Sequence, residues 1–276
     1  KKNIELENAR LRLEETKSLK KTAWDLGTTD VQFTRGQIDG PFVDNNTSIW
    51  QNLGSIFEQH ARSQWMNQWV NRQETAFFLS QRDLERDVSL AWYVLLWRQQ
   101  RLKLLEYGLS IYRDAVRIAG LRYESGEANL LSKVVVETQF EDLRMRSQEA
   151  RTDRDVAKEA LAVLLMTSDF EPPDPEIFKE QQLFRQIHRG TAEQNLQMEL
   201  MHKELMVAQH DVKWQRSQFA PSLSAGYWWQ SLDEIKGYDG WQVGIQIPLW
   251  RRSLGAQVQA SKIRRDIAKN QVEQMS

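Results

Sequence analysis

Cysteine is absent from the chain, which excludes disulfide frameworks, thiolate metal sites and cysteine nucleophiles, and offers no cysteine for a lipid anchor. Long apolar runs are absent too. The longest, Ala91 to Trp97 and Ala160 to Met166, fall far short of the ~20 residues a membrane-spanning helix needs. The opening stretch KKNIELENARL enters a helical pattern directly, with no apolar signal region, so any targeting segment is expected to have been removed or to lie outside this chain. Charge of one sign is also missing: 37 basic against 38 acidic side chains give a net charge of -1, so neither a nucleic-acid partner nor a polyanionic tail is expected.

Proline is absent from Glu58 to Ser125, where glycine occurs only at Gly108 and Gly120. The simplest reading is one continuous helix, ~100 Å long at about 1.5 Å per residue. Its second half carries an apolar stripe at alternating four- and three-residue steps: Leu84, Val88, Ala91, Leu95, Arg98, Leu102, Leu105, Leu109, Tyr112, Val116, Ala119 and Tyr123. Only Arg98 breaks it. That period keeps one seam against a partner helix along its length, as in a coiled coil.

The segment Arg122, Tyr123, Glu124, Ser125, Gly126, Glu127, Ala128 interrupts this pattern, and helical character resumes from Glu127 to Met166. A helical hairpin with its tip at 122–128 follows. The return helix has a looser seam at Leu143, Ala150, Ala157, Ala160 and Leu164, whose small residues permit close approach. Glu171, Pro172, Pro173, Asp174 and Pro175 then stop the helix.

Elsewhere the period changes to two. Leu223, Ala225, Tyr227 and Trp229 alternate with Ser222, Ser224, Gly226 and Trp228, while Trp241, Val243, Ile245 and Ile247 alternate with Gln242, Gly244 and Gln246. Each run is about as long as the 9 to 11 residues of a tilted barrel strand, and the intervening SLDEIKGYDG is turn-like. The odd-numbered set is expected to face lipid and the even-numbered set a watery lumen. A weaker copy precedes it: a strand over Leu26 to Ile38, a loop GQIDGPFVDNN, and a return over Thr47 to Phe57. In that return Ile49 and Leu53 share a face with Gln51, and Trp50 and Asn52 share the other, so its lipid side stays open.

Eleven tryptophans are many for this length. Trp24, Trp50, Trp65, Trp69, Trp214, Trp228, Trp229, Trp241 and Trp250 lie in or near the stretches read as non-helical. Tryptophan suits a membrane interface, where its ring and N–H meet an apolar and a polar phase; ordinary core packing explains it equally well.

An internal repeat of helix, strand hairpin and helix spans Ile4 to Phe57 and again Thr191 to Trp250, aligning Ile56 and Phe57 with Leu249 and Trp250. The opening helix, Ile4 to Trp24, and the return helix together nearly match the long helix. The helix beginning near Ser253 has no room for an equivalent length, so truncation at the carboxyl end is expected. The domain reading is a first repeat over 1–170, a connecting segment over 171–190 and a second repeat over 191–276.

Three stretches carry a family resemblance: RYESGEANLLSKVVVETQFE with the later EALAVLLM; AQHDVKWQRSQFAPSLSAGYWW followed by GWQVGIQIPLWRRSLGAQVQASK; and the weaker VQFTRGQIDGPFVDNNTSIWQNLGSIFEQHARSQ. These resemble the TolC family of outer-membrane factors, and within it the heavy-metal cation efflux type (CzcC/CusC-like). The resemblance implies a membrane β-barrel joined to a long α-helical coiled-coil barrel, assembled as a homotrimer in which each protomer gives four strands and several helices. It implies a duct of a tripartite efflux system exporting heavy-metal cations, set in outer-membrane lipid and extending into the periplasm. Its partners would be a periplasmic adaptor docking on the tip at 122–128 and an inner-membrane RND-type pump. One departure is Ser55, which stands where the repeat places Pro248.

No phosphate-cradling loop, nucleophile elbow or histidine-carboxylate metal motif occurs, so neither enzyme activity nor a cofactor is expected. Met198, His202, Met206 and His210, at four-residue steps and so expected on one helix face, form the sharpest candidate metal stripe, with thioether and imidazole suited to a soft cation. Packing explains such stripes more often. The alternative to a duct is a soluble periplasmic coiled-coil scaffold or adaptor, against which the aromatic strand hairpins argue.

Overall fold

The computed structural model describes residues 3–37, 43–167, 170, 181–232 and 235–275. Its elements run α1 (Ile4–Lys20), β1 (Thr29–Gly36), β2 (Asp44–Gly54), α2 (Ile56–Glu124), α3 (Leu130–Leu165), α4 (Gln181–Ser217), β3 (Ser222–Leu232), β4 (Ile235–Gln246) and α5 (Arg252–Met275). The chain divides into two compact units, Lys1–Asn8 with Ser80–Thr191, and Ala9–Leu79 with Ala192–Ser276. These cut across the two sequence repeats, because α1, α2 and α4 each contribute to both units.

The first unit is a helical hairpin of α2 and α3. Helix α2 is unbroken over 69 residues, as the absence of proline permits. Its seam is real: Leu95 and Leu102 are buried, and the other stripe positions are partly covered except Tyr112 and Tyr123, which are exposed. Leu95 joins Ala157 and Leu161 in a core bordered by Val88, Ala91, Trp92, Leu165 and Phe170. Arg98, the break in the stripe, forms an ion pair with Asp153 of α3, which also takes Arg101 at 3.4 Å. A charge inside an apolar seam holds two helices in one register, since any slip leaves it unpaired. Gly108 lets the helices meet closely, because a Cβ there would lie 3.1 Å from Leu143 Cδ2.

Two boundaries differ from the sequence reading. Helix α3 starts at Leu130 rather than Glu127, because the Asn129 side chain caps it by accepting from Ser132 N. On the return seam Leu161 is buried and Ala160 is exposed; the four-residue step after Ala157 falls on Leu161. Of the expected connecting segment 171–190, residues 171–180, with the proline stop, lie outside the described residues, and 181–190 begin α4.

The second unit holds the sheet and the helix segments beside it. Helix α1, capped in the first unit by Asn3 accepting from Glu5 N, ends in the second at Lys20 in a 3-10 turn over Lys21–Ala23 rather than running to Trp24. Polar ties join its helices: Lys17 to Glu74 at 2.9 Å, Arg72 to Glu204 at 2.5 Å and Arg264 to Asp211 at 2.7 Å. The strands form one antiparallel sheet in the order β1-β2-β3-β4.

The second hairpin is longer than the sequence pattern implied, whereas in the first the opening strand is shorter, Thr29–Gly36 rather than Leu26 to Ile38, and the return strand is shifted to Asp44–Gly54. Asp44, Asn45 and Asn46, read as loop, pair with Gly36, Arg35 and Thr34, while Ile56 and Phe57 open α2 instead of closing the strand. Most of SLDEIKGYDG is strand as well; its turn at 233–234 and the first loop's residues 38–42 lie outside the described residues. Gly237 is the extra residue where the register shifts between Gln230 and Ser231, and its φ of 114° suits a glycine bulge. At the other end β4 stops at Gln246, so Ile247 lies one residue beyond it, ahead of Pro248, which cannot donate to a ladder.

The first sheet-to-helix corner works without the proline of the second. Gly54 turns the chain at φ 68°, and the Gln59 amide donates to Leu53 O at 3.1 Å and Asp25 O at 3.0 Å. Ser55 is buried in this corner.

Candidate functional site

Register assigns every strand residue to one of two faces, because directly paired residues point the same way. One face stacks Val31, Ile49, Tyr227 and Trp241 in a row across all four strands, flanked by Ala225 opposite Val243 and Leu223 opposite Ile245. All of these but the half-buried Ala225 are exposed in the single chain, Trp241 at 79% and Ile245 at 64%. An apolar face left in the open along a whole sheet requires a nonaqueous partner. It ends at the hairpin side with Asp239, whose carboxylate accepts from the Tyr227 hydroxyl at 2.5 Å, and with Arg35 in the next row. The expected face is thus one surface, with Ile247 continuing past it, and β2 joins it through Ile49.

The opposite face is polar and almost uncharged. A cavity of about 380 Å³ lies there, lined by Gln32, Thr34, Asn46, Ser48, Trp50, Trp228, Gln230 and Gln242. Two tryptophans sit on this side because glycines make room for them. Trp50 covers its cross-strand partner Gly226, where a Cβ would lie 2.6 Å from Cε3, and Trp228 covers Gly240, with a Cβ at 2.9 Å from Cζ2. Pairing an aromatic ring over a glycine restores the packing that the glycine lacks.

At the hairpin tip, Arg122, Tyr123 and Glu124 are the last residues of α2, and the reversal itself occupies Ser125 to Ala128. Gly126 has φ 77°, a left-handed conformation that costs an L side chain energy. Glu127 N and Ala128 N both donate to Arg122 O, at 2.9 and 3.1 Å, which closes the helix end. Most tip side chains are exposed.

No protein-family model matches the sequence, and no curated protein matches it either. Solved structures do. CusC, described in relation to folding and transmembrane channel formation, is 18% identical over 99% of this chain and 69% of its own, with a TM-score of 0.79. VceC, an outer membrane protein of Vibrio cholerae, is 16% identical over 99% and 72% at 0.75. The CmeC outer membrane channel of Campylobacter jejuni is 14% identical over 99% and 65% at 0.73. The chain has the fold of these outer-membrane channels.

In this channel fold, exposed apolar residues cluster at the helix end of the sheet. Trp24 and Leu26 precede β1, Ile56 and Phe57 follow β2, and Leu249 and Trp250 follow β4; Trp250 is 92% exposed. Sequence reasoning grouped the tryptophans as one class, but Trp65 and Trp69 lie on α2 and Trp214 on α4. There Trp65 stacks on Trp214 with ring centroids 4.7 Å apart, lining a groove of about 460 Å³ with Arg72, Glu204 and Arg264. These three belong to helix packing, and the strand and corner tryptophans belong to the sheet.

The channel fold places Met198, His202, Met206 and His210 along α4. Each four-residue step turns the helix about 40° past a full turn, so the stripe winds instead of holding one face. His202 and Met206 are exposed, whereas Met198 and His210 are half-buried. His210 Nδ1 is buried without a hydrogen-bond partner, and burial, helped by the Lys213 charge, pushes the His210 pKa down. Among the described residues no group of three histidines or carboxylates is placed to hold a metal ion.

Proposed function

We propose that this chain forms the wall of an outer-membrane efflux duct. The observation that carries the reading is the four-stranded sheet with one open apolar face and one neutral polar face, continued at both hairpins into long helices. Such a sheet satisfies its backbone in lipid only when closed with further strands, because an unpaired edge in hydrocarbon costs several kcal/mol per group. Copies arranged around an axis, as a homotrimer, close it. The exposed Trp24, Phe57 and Trp250 at the sheet's helix end fit the headgroup depth on the periplasmic side, and Arg35 with Asp239 fits the outer boundary.

In this reading the helical hairpin projects into the periplasm, its tip at 122–128 meets a periplasmic adaptor, and an RND-type pump of the inner membrane supplies the cargo. The cargo is a heavy-metal cation, supported by the resemblance and by the likeness to CusC. The duct needs neither a catalytic group nor a cofactor. A soluble periplasmic scaffold is the weaker alternative, since it leaves the apolar face of the sheet in water.

Arginine substituted at two positions of β4 tests the proposal. Ile245→Arg, on the apolar face, costs about 2–4 kcal/mol at bilayer depth and should abolish assembly in the outer membrane. Gln242→Arg, on the polar face, should assemble normally. Normal trimer yield from Ile245→Arg would overturn the reading.

A further inference from the structure

We infer that the polar side of the sheet carries a binding site for a neutral oligosaccharide. The inference rests on the duct reading, in which this side faces water and the opposite side lipid. The cavity of about 380 Å³ reaches across the sheet: the edge strands β1 and β4 give it Gln32 and Gln242, and the middle strands β2 and β3 give it Trp50 and Trp228. Three strand spacings of about 4.8 Å make a width of roughly 14 Å, longer than a single sugar ring. Both indoles are half-buried, and each is laid over the strand beside it. Trp50 meets the Cβ position of Gly226 with three bonded ring atoms, Cδ2, Cε3 and Cζ3, at 2.7, 2.6 and 3.0 Å. Such similar distances mean that the face of the ring, and not its edge, lies on the glycine, so its other face is turned away from the sheet. Trp228 covers Gly240 one strand further on.

Around these rings the lining is neutral and hydrogen-bonding: the amides of Gln32, Asn46, Gln230 and Gln242 and the hydroxyls of Thr34 and Ser48. Asn46 Nδ2 donates to Gln230 Oε1 at 3.3 Å, linking β2 to β3, while Gln32 and Gln242 are exposed. A sugar ring has a face of C–H groups and a rim of hydroxyls. Its C–H face stacks on an indole, whose electron-rich π face attracts the polarised hydrogens. Its rim exchanges hydrogen bonds with amides, which both donate and accept. A charged ligand meets no counter-charge among these lining residues, and a soft cation meets no thioether, imidazole or carboxylate. A wholly apolar ligand would leave the amides unpaired. The cavity therefore suits a ligand other than a metal cargo, and its volume falls within the roughly 300–1,000 Å³ of small-molecule sites.

Equilibrium dialysis of the assembled protein, held in a detergent without a sugar head group, against radiolabelled maltohexaose, cellohexaose or chitohexaose reads this directly. At least one of the three should bind saturably. Its affinity should stay the same between ~0.01 and ~1 M potassium chloride, where the screening length falls from ~30 to ~3 Å, because no charge takes part. Trp228→Ala should weaken binding about fivefold or more, and Gln242→Ala about threefold. Val243→Ala, beside Gln242 but on the lipid side, should leave it unchanged. Absence of saturable binding of all three sugars to assembled protein overturns the inference while the duct reading stands. So does binding that salt abolishes, or binding that Trp228→Ala and Gln242→Ala leave intact. Should Trp228→Ala fail to assemble, Gln242→Ala decides alone. A native protein that forms no assembly in the outer membrane would remove the duct reading and the inference with it.

Discussion

Trp50 and Gly226 are direct cross-strand partners, and the indole occupies the space where a side chain at 226 would begin. The two residues come from different halves of the chain, so this contact ties the first strand hairpin to the second. Gly226→Ala places a carbon 2.6 Å from the ring and forces the Trp50 indole aside. We expect a loss of about 1–3 kcal/mol, read as a lower melting temperature of the assembled protein. Gly36→Ala, which meets no atom within 4 Å, should leave the melting temperature nearly unchanged.

The tip makes a second case. Gly126→Val puts a β-branched side chain at φ 77°, at a local cost of about 1–3 kcal/mol, in a segment where a Cβ meets nothing within 4 Å. Assembly in the membrane should therefore persist, while cross-linking between adaptor and tip should be lost. Lost trimers would assign Gly126 to folding alone, and normal trimers with normal cross-links and efflux would show that neither role depends on it.

His210 links the α4 stripe to pH. Its pKa lies below the ordinary 6.5 in the folded chain, so the unfolded chain binds a proton first as pH falls. Stability is then full above about 6.5 and declines below it, until the folded form also takes the proton. His210→Gln should flatten the melting temperature between pH 6.5 and 5 relative to the native chain. A separate measurement addresses metal: if the stripe acts during transport, changing Met198, His202, Met206 and His210 together to Leu should lower metal resistance at unchanged trimer yield. Unchanged resistance would leave the four as packing residues.

Much of this architecture is legible in the residues. Proline-free length specifies α2, and the four-and-three stripe marks the side on which α3 packs. Period two marks β3 and β4 as far as their apolar faces extend. The strands continue into Asp44, Asn45, Asn46 and Lys236, where polar and turn-forming residues conceal pairing that depends on the neighbouring strand. Position on a face is equally nonlocal for Trp50: its own strand leaves the lipid side open, and only Gly226, far along the chain, shows why an indole sits on the polar side. The hairpin tip at 122–128 is legible because Ser125 and Gly126 break a long helix, but Asn129 as the cap that begins α3 follows from local geometry that composition does not reveal. The metal stripe is read as one face from its spacing alone, and the helix geometry separates its two ends.

The absence of cysteine permits the most direct test of the central claim, that the sheet crosses a membrane with alternate residues in lipid and water. Single cysteines placed in turn from Trp241 to Gln246 are exposed, in the assembled protein in the outer membrane, to a water-borne and to a lipid-borne thiol reagent. The account predicts a period of two: 242, 244 and 246 react with the water-borne reagent, and 241, 243 and 245 with the lipid-borne one. Uniform reaction of all six with the water-borne reagent would contradict it.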